Sequence, residues 1–148
     1  MCLIAFAWNA HPRWRLLLAG NRDEFHARPS AALARWDDAA IIGGRDLEAG
    51  GTWLGVTDRG RCCVVTNVRD PRGPQHGASR GLLATDYLGG EPGAAAHARR
   101  LLTTASDYRP FNLLTFDAHD AFYLGNRPEP HMQAVQPGVH GLSNADFK

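Results

Sequence analysis

The sequence predicts an α+β fold, or a layered αββα arrangement, built on antiparallel sheet. Three observations point there. Short β-prone segments open the chain, two helical segments sit in the middle, and β-prone segments return after them. Neighbouring β segments are joined by tight turns, which antiparallel hairpins allow and parallel pairs do not. The length of 148 residues suits one domain with one core, so residues 1–148 are read as a single domain.

Each element follows from local chemistry. Residues 2–8 are apolar and β-prone, and Asn9-Ala10-His11-Pro12 is a turn. Residues 13–19 then run back with Arg13 and Arg15 outward and Trp14, Leu16 and Leu18 inward, completing a hairpin. Residues 25–36 contain Arg28-Pro29 and an Ala-rich piece, and read as loop with a short helical turn. Ile41-Ile42 precede Gly43-Gly44. A second hairpin joins residues 52–57 to 61–68 through Asp58-Arg59-Gly60. Alternation along its second strand sends Cys62 and Cys63 to opposite faces. Residues 70–78 form a Pro- and Gly-rich loop. Ser79 is the expected N-cap of a helix to about Leu88, stopped by Gly89-Gly90. A second helix is expected over residues 93–105, where Ala94, Ala98, Leu101 and Leu102 make an apolar stripe. Residues 111–116 and 121–124 form strands around a turn at 117–120. Residues 132–135 add another strand, and residues 138–147 end the chain as a strand edge, so the fold is expected to continue beyond residue 148.

Composition narrows the function. Apolar residues make up 44% and charged residues 21%, which fits a globular protein with an ordinary core. Net charge is +1 and Lys148 is the only lysine, so no basic face for nucleic acid can be read. Apolar runs are too short for a membrane span, and no secretory signal opens the chain. The three cysteines, Cys2, Cys62 and Cys63, are odd in number and two are adjacent. That pattern fits a reducing compartment, the cytoplasm, better than a disulfide framework. Histidines 11, 26, 76, 97, 119, 131 and 140 are scattered, and none has the spacing of a metal ligand.

The unusual stretch is Leu17-Leu18-Ala19-Gly20-Asn21-Arg22-Asp23-Glu24-Phe25. An apolar strand delivers four strongly polar residues at once. In an antiparallel hairpin the start of the first strand and the end of the second share one sheet edge. Cys2 is therefore expected beside Asn21, Arg22, Asp23 and Glu24. By itself Cys2 reads more simply as a small buried residue, and the cluster as an exposed Arg–carboxylate turn. Together they read as chemistry. With Met1 removed, Cys2 would carry a thiol of pKa about 8.5 and an α-amine of pKa about 7.7–8.0 on one residue. One residue would then supply nucleophile and base. A guanidinium nearby favours thiolate, and a carboxylate orients the amine. Asn67 and Asn144, at strand ends, are candidate amide donors to an oxyanion. Gly50-Gly51-Thr52-Trp53-Leu54-Gly55 permits close backbone approach and places Trp53 either as a pocket wall or in a bulged strand core.

These pieces together resemble the NRDE family, also described as transport and Golgi organisation protein 2-like. The resemblance runs through Met1-Cys2-Leu3-Ile4, Asn21-Arg22-Asp23-Glu24-Phe25, Arg28-Pro29, Gly50-Gly51-Thr52-Trp53-Leu54-Gly55, Thr66-Asn67, Ser79-Arg80-Gly81 and His140-Gly141-Leu142-Ser143-Asn144. The family is similar to N-terminal-nucleophile hydrolases, which implies an αββα sandwich of antiparallel sheets. In the related penicillin V acylase and bile salt hydrolase branch, chains also begin Met-Cys. That similarity implies Cys2 as nucleophile, with Arg22 and Asp23 (or Glu24) as the charged residues after the second strand and Asn67 and Asn144 near the oxyanion. The branch separates its Arg and Asp by two residues, which this chain does not. It also uses a later Arg, and family members continue past Gly-Leu-Ser-Asn, so this domain is expected to lack its C-terminal part.

The resemblance implies hydrolysis of non-peptide, linear amide C–N bonds or of thioesters. The catalytic residues would be Cys2, Arg22, Asp23, Asn67 and Asn144, with Asn21, Glu24 and Trp53 lining the substrate and no cofactor for catalysis. The family is also linked to haem mobilisation and acyl-CoA or lipid metabolism. A non-catalytic protein that binds or carries haem or an acyl ligand on the same scaffold is the alternative, although no haem motif is present.

Overall fold

The computed structural model describes residues 1–73, 76–145 and 147. Ten strands form two antiparallel sheets. The smaller has the order β10-β1-β2, from Gly138–Leu142, Leu3–Trp8 and Leu16–Asn21. The larger follows chain order: β3 (Ser30–Arg35), β4 (Ile42–Asp46), β5 (Leu54–Val56), β6 (Cys62–Asn67), β7 (Phe111–Phe116), β8 (Ala121–Gly125) and β9 (His131–Ala134). Helices α1 (Gly81–Gly89) and α2 (Ala94–Leu102) separate β6 from β7.

The order of residues in β6 explains the layering. Cys63 and Val65 face the helices and pack with Leu83, Tyr87, Leu88, Ala98 and Leu101. Cys62 and Val64 face the smaller sheet and pack with Ile4, Phe6, Trp8 and Leu142. The two adjacent cysteines thus serve opposite cores, as alternation requires. Being buried on both sides, β6 and β7 are largely apolar, and their Thr66, Asn112 and Thr115 are buried as well. Each large side chain buried this way contributes about 1.5–3 kcal/mol.

Polar groups on the sheet fix both helices. Buried Arg61 donates to the carbonyls of Tyr87 at 3.1 Å and Glu91 at 2.7 Å, placing a cation at the end of α1. Its guanidinium lies 4.7 Å from the Tyr87 ring centroid, and the Tyr87 hydroxyl donates to the Phe116 carbonyl at 2.7 Å. Asp117 accepts the Ala94 N–H at 2.8 Å and so caps α2 from the turn between β7 and β8.

Three expectations need correction. The stretch expected as loop and helical turn contains β3, an edge strand whose six side chains are all exposed. Ala-rich sequence without alternation carries no strand signal, and the segment is held by its ladder to β4, interrupted by a bulge between Ala31 and Ala34. Ser79 does not cap α1. The helix begins at Gly81 with Arg80 at the cap position and no side-chain cap bond. The second helix ends at Leu102, and a separate 3-10 turn covers Ala105–Asp107. The layers of the described residues are helix, sheet, sheet. Among the described residues no helix covers the outer face of the smaller sheet, where Leu3, Leu17 and Val139 are exposed.

Candidate active site

The pairing of Leu3 with Asn21 brings the chain's beginning to the end of β2. Asn21 closes that strand, and its side chain donates to the Met1 carbonyl at 2.9 Å. The next residues turn across the sheet edge. The Asp23 N–H donates to the Cys2 Sγ at 3.4 Å, and the Asp23 carboxylate takes the Met1 ammonium. That ammonium, then the Arg69 guanidinium, hold the Asp23 carboxyl below its ordinary pKa. Cys2 and the polar cluster are thus together at one edge, where the hairpin puts them.

Asn144 arrives from the opposite side. Its Oδ1 accepts the Cys2 N–H at 2.7 Å, its Nδ2 donates to the Asn67 carbonyl at 2.8 Å, and its own carbonyl accepts the Arg69 N–H at 3.1 Å. The loop that carries it is tied to the sheet interior. Thr66 donates its hydroxyl proton to the Ser143 carbonyl at 3.0 Å. Asn112 Nδ2 reaches the carbonyls of Ser143 and Ala145, each at 3.2 Å. Tyr123 in turn donates to Asn112 Oδ1 at 2.7 Å. A chain of buried side chains therefore runs from β8 through β7 to the residue that holds Cys2.

Cys2 opens on a cleft of about 470 Å³, also lined by Arg22, Asp23, Glu24, Trp53 and Asn67. Trp53 walls the cleft and packs against both cores. Arg22 meets Glu24 at 3.1 Å. Asn21 and Asn144 do not line it. The other two thiols are closed off. Burial pushes Cys62 up to about 12 and Cys63 well above its ordinary value, so neither can supply thiolate at neutral pH.

Several cleft residues escaped the sequence reading. Arg28 forms a hub, with its guanidinium 2.6 Å from Asp46, 3.1 Å from Glu48 and 3.9 Å from Glu24. Bonding to Asp46 raises its pKa, and burial opposes but does not reverse the lowering of Asp46. Arg80 and Arg109 line the far side. Arg28-Pro29 and Ser79-Arg80-Gly81 were visible as family-like pieces, yet nothing in their spacing said that Arg28, Ser79, Arg80 and Gly81 line the same cleft as Cys2. Gly51 is explained by packing. A Cβ there would come within 2.5 Å of the Gly81 backbone, so glycine lets the start of α1 close over the cleft.

The sequence matches the Transport and Golgi organisation 2 family over residues 1–148. It is 36% identical to the Transport and Golgi organization 2 homologs of Mus musculus and Homo sapiens, covering 98% of this chain and 57% of each relative. The Drosophila melanogaster protein of that name is 31% identical, over 98% of this chain and 58% of its own. The chain thus spans a little over half the length of these relatives. Among solved structures, penicillin V acylase from Agrobacterium tumefaciens is similar with a TM-score of 0.51 at 14% identity, covering 97% of this chain and 44% of that one. That likeness is one of fold, and fold by itself does not carry an activity.

Proposed function

Since the chain belongs to the Transport and Golgi organisation 2 family, we propose that it hydrolyses a linear amide or thioester through an acyl intermediate on Cys2. The observation that carries this reading is the triple placement of Cys2. Cys2 lines the cleft, its nitrogen is held by Asn144, and the Asp23 N–H donates to its sulfur.

The chemistry requires the Met1–Cys2 peptide bond to be cut by water with release of methionine. Met1 is 65% exposed and its cleavage frees an amine where the amide now sits. That α-amine takes the thiol proton as sulfur attacks the carbonyl carbon and a C–S bond forms. The proton passes to the leaving nitrogen or sulfur as the scissile bond breaks. Water then attacks the acyl-sulfur bond, gives its proton to the amine, and releases a carboxylic acid. Asn67, at the cleft wall, is the oxyanion donor. Asn144 positions the α-nitrogen instead, because its Nδ2 already serves the Asn67 carbonyl. Asp23 orients the freed ammonium, and Arg22 with Glu24 sets the local field.

Intact mass spectrometry with and without iodoacetamide tests this. The expected result is a chain lacking Met1 that takes one adduct at Cys2 under native conditions, with labelling lost in Cys2→Ala. Retained Met1 together with an inert Cys2 would overturn the hydrolase and leave the haem- or acyl-carrier reading of the same cleft.

A further inference from the structure

The charges lining the cleft do not cancel evenly. Glu24 is taken by Arg22 and Arg28, and Asp46 and Glu48 are taken by Arg28. Asp23 is taken by the chain's amino terminus and by Arg69, and Arg45 is satisfied by Asp38 outside the cleft wall. Two guanidinium groups remain. Arg80 and Arg109 form no ion pair among the described residues. Arg80 is half-buried, and its Nη1 donates to the Pro110 carbonyl at 3.1 Å. Both arginines also line a second depression of about 280 Å³ with Val68, Asp70 and Pro110, so they stand at the junction of two hollows.

Asp70, which shares the second depression, is paired with Arg127 at 3.4 Å, so these two like charges have no carboxylate partner of their own, a role that a bound anion would fill. Burial first, then the charges of Arg109 and Arg28, hold the Arg80 guanidinium below its ordinary pKa, with Glu24 opposing the shift. A guanidinium pair is well suited to planar or tetrahedral anionic oxygens, which it can grip with parallel N–H donors.

We propose that Arg80 and Arg109 form an anion subsite of the Cys2 cleft, so that its substrate or ligand carries a carboxylate or phosphate group remote from the bond that reacts. This rests on the reading of the cleft as a substrate site. It narrows the substrate class to anionic amides or thioesters, with the reacting carbonyl at Cys2 and the charge held across the cleft.

The test separates this subsite from the chemistry. Melting temperature is followed while the protein is titrated with inorganic phosphate and, separately, with glutarate, each against chloride of equal ionic strength. Saturable stabilisation is expected from at least one of them, and which one distinguishes a phosphate from a carboxylate ligand. Arg109→Gln, an exposed position, should weaken the apparent affinity at least fivefold, Arg80→Gln likewise, and Arg99→Gln on α2 should not. In parallel, the rate of Cys2 alkylation by iodoacetate relative to iodoacetamide should fall in Arg109→Gln. No saturable effect in the natural sequence, or an effect unchanged in both arginine variants, overturns the subsite. If anions bind but iodoacetamide leaves Cys2 unmodified, the hydrolase reading fails while the subsite stands. If Cys2 is labelled but no anion binds, the reverse holds.

Discussion

Asn144 Oδ1 accepts the backbone N–H of Cys2 at 2.7 Å, across 142 positions of sequence. Both residues are buried, so this bond ties the start of the chain to the segment that follows β10. Asn144→Ala would leave the Cys2 N–H without an acceptor, at a cost of about 1–3 kcal/mol. Urea unfolding should show that loss, and iodoacetamide labelling of Cys2 should slow. Asn144→Asp keeps an acceptor for Cys2 but turns an oxygen toward the Asn67 carbonyl, now 2.8 Å from Nδ2. It is expected to be no better than alanine, and full stability in the aspartate variant would show that the Asn67 contact contributes nothing.

Thiol counting gives a second expectation. Cys62 and Cys63 are sealed in opposite cores, whereas Cys2 reaches the cleft. Native protein should accept one iodoacetamide adduct, and protein in guanidinium chloride should accept three. Two or more adducts under native conditions would mean that β6 opens on the labelling timescale.

The start of α1 depends on two glycines in contact. A Cβ on Gly51 would sit 2.5 Å from the Gly81 carbonyl carbon, against backbone that cannot rotate away. Gly51→Ala should destabilise by about 1–3 kcal/mol through overpacking and displace Arg80 from the cleft. Gly50 differs, since it has open space but a φ of +83°. Gly50→Ala should therefore cost only about 1 kcal/mol, from backbone strain. Gly89, with open space and no positive φ, should gain about 0.5–1 kcal/mol on substitution by alanine. The order of melting temperatures, Gly89→Ala above Gly50→Ala above Gly51→Ala, checks all three arguments at once.

Much of this site was legible from local rules. Hairpin geometry alone places Cys2 beside Asn21 and Asp23, because antiparallel pairing fixes which ends meet. Alternation likewise sends Cys62 and Cys63 apart. What was hidden depends on segments distant in sequence. Arg80 and Arg109 flank the two helices and meet only in the folded chain, where Gly51 lets the start of α1 beside Arg80 pack closely. β3 was missed because its alanines and exposed side chains carry no period, and its strand character comes from the β4 ladder. His97 escaped as well. Its place on the buried side of α2 follows the helical stripe of Ala94, Ala98 and Leu101, but its ring was read as one more scattered histidine.

That ring makes the last expectation. His97 is 3% exposed, and neither ring nitrogen has a hydrogen-bond partner among the described residues. It packs edge-on to Tyr87 with ring centroids 5.1 Å apart. Burial first, then the charges of Arg100 and Arg61, lower its pKa from 6.5 to about 4. The unfolded chain therefore binds a proton between those values that the folded chain refuses. The neutral ring's contribution is fully present above pH 6.5 and is lost as pH falls towards 4, on the order of 3 kcal/mol. His97→Phe keeps the ring against Tyr87 and removes both the titration and the two unsatisfied nitrogens. The variant should match or exceed the natural protein at pH 7.5, where replacing an unpartnered polar ring by an apolar one costs little. Its advantage in melting temperature should widen steadily from pH 6.5 down to about 4.5, while the carboxylates common to both proteins cancel in the difference. A difference that stays flat across that range would show that the imidazole titrates normally, and hence that α2 exposes it to water.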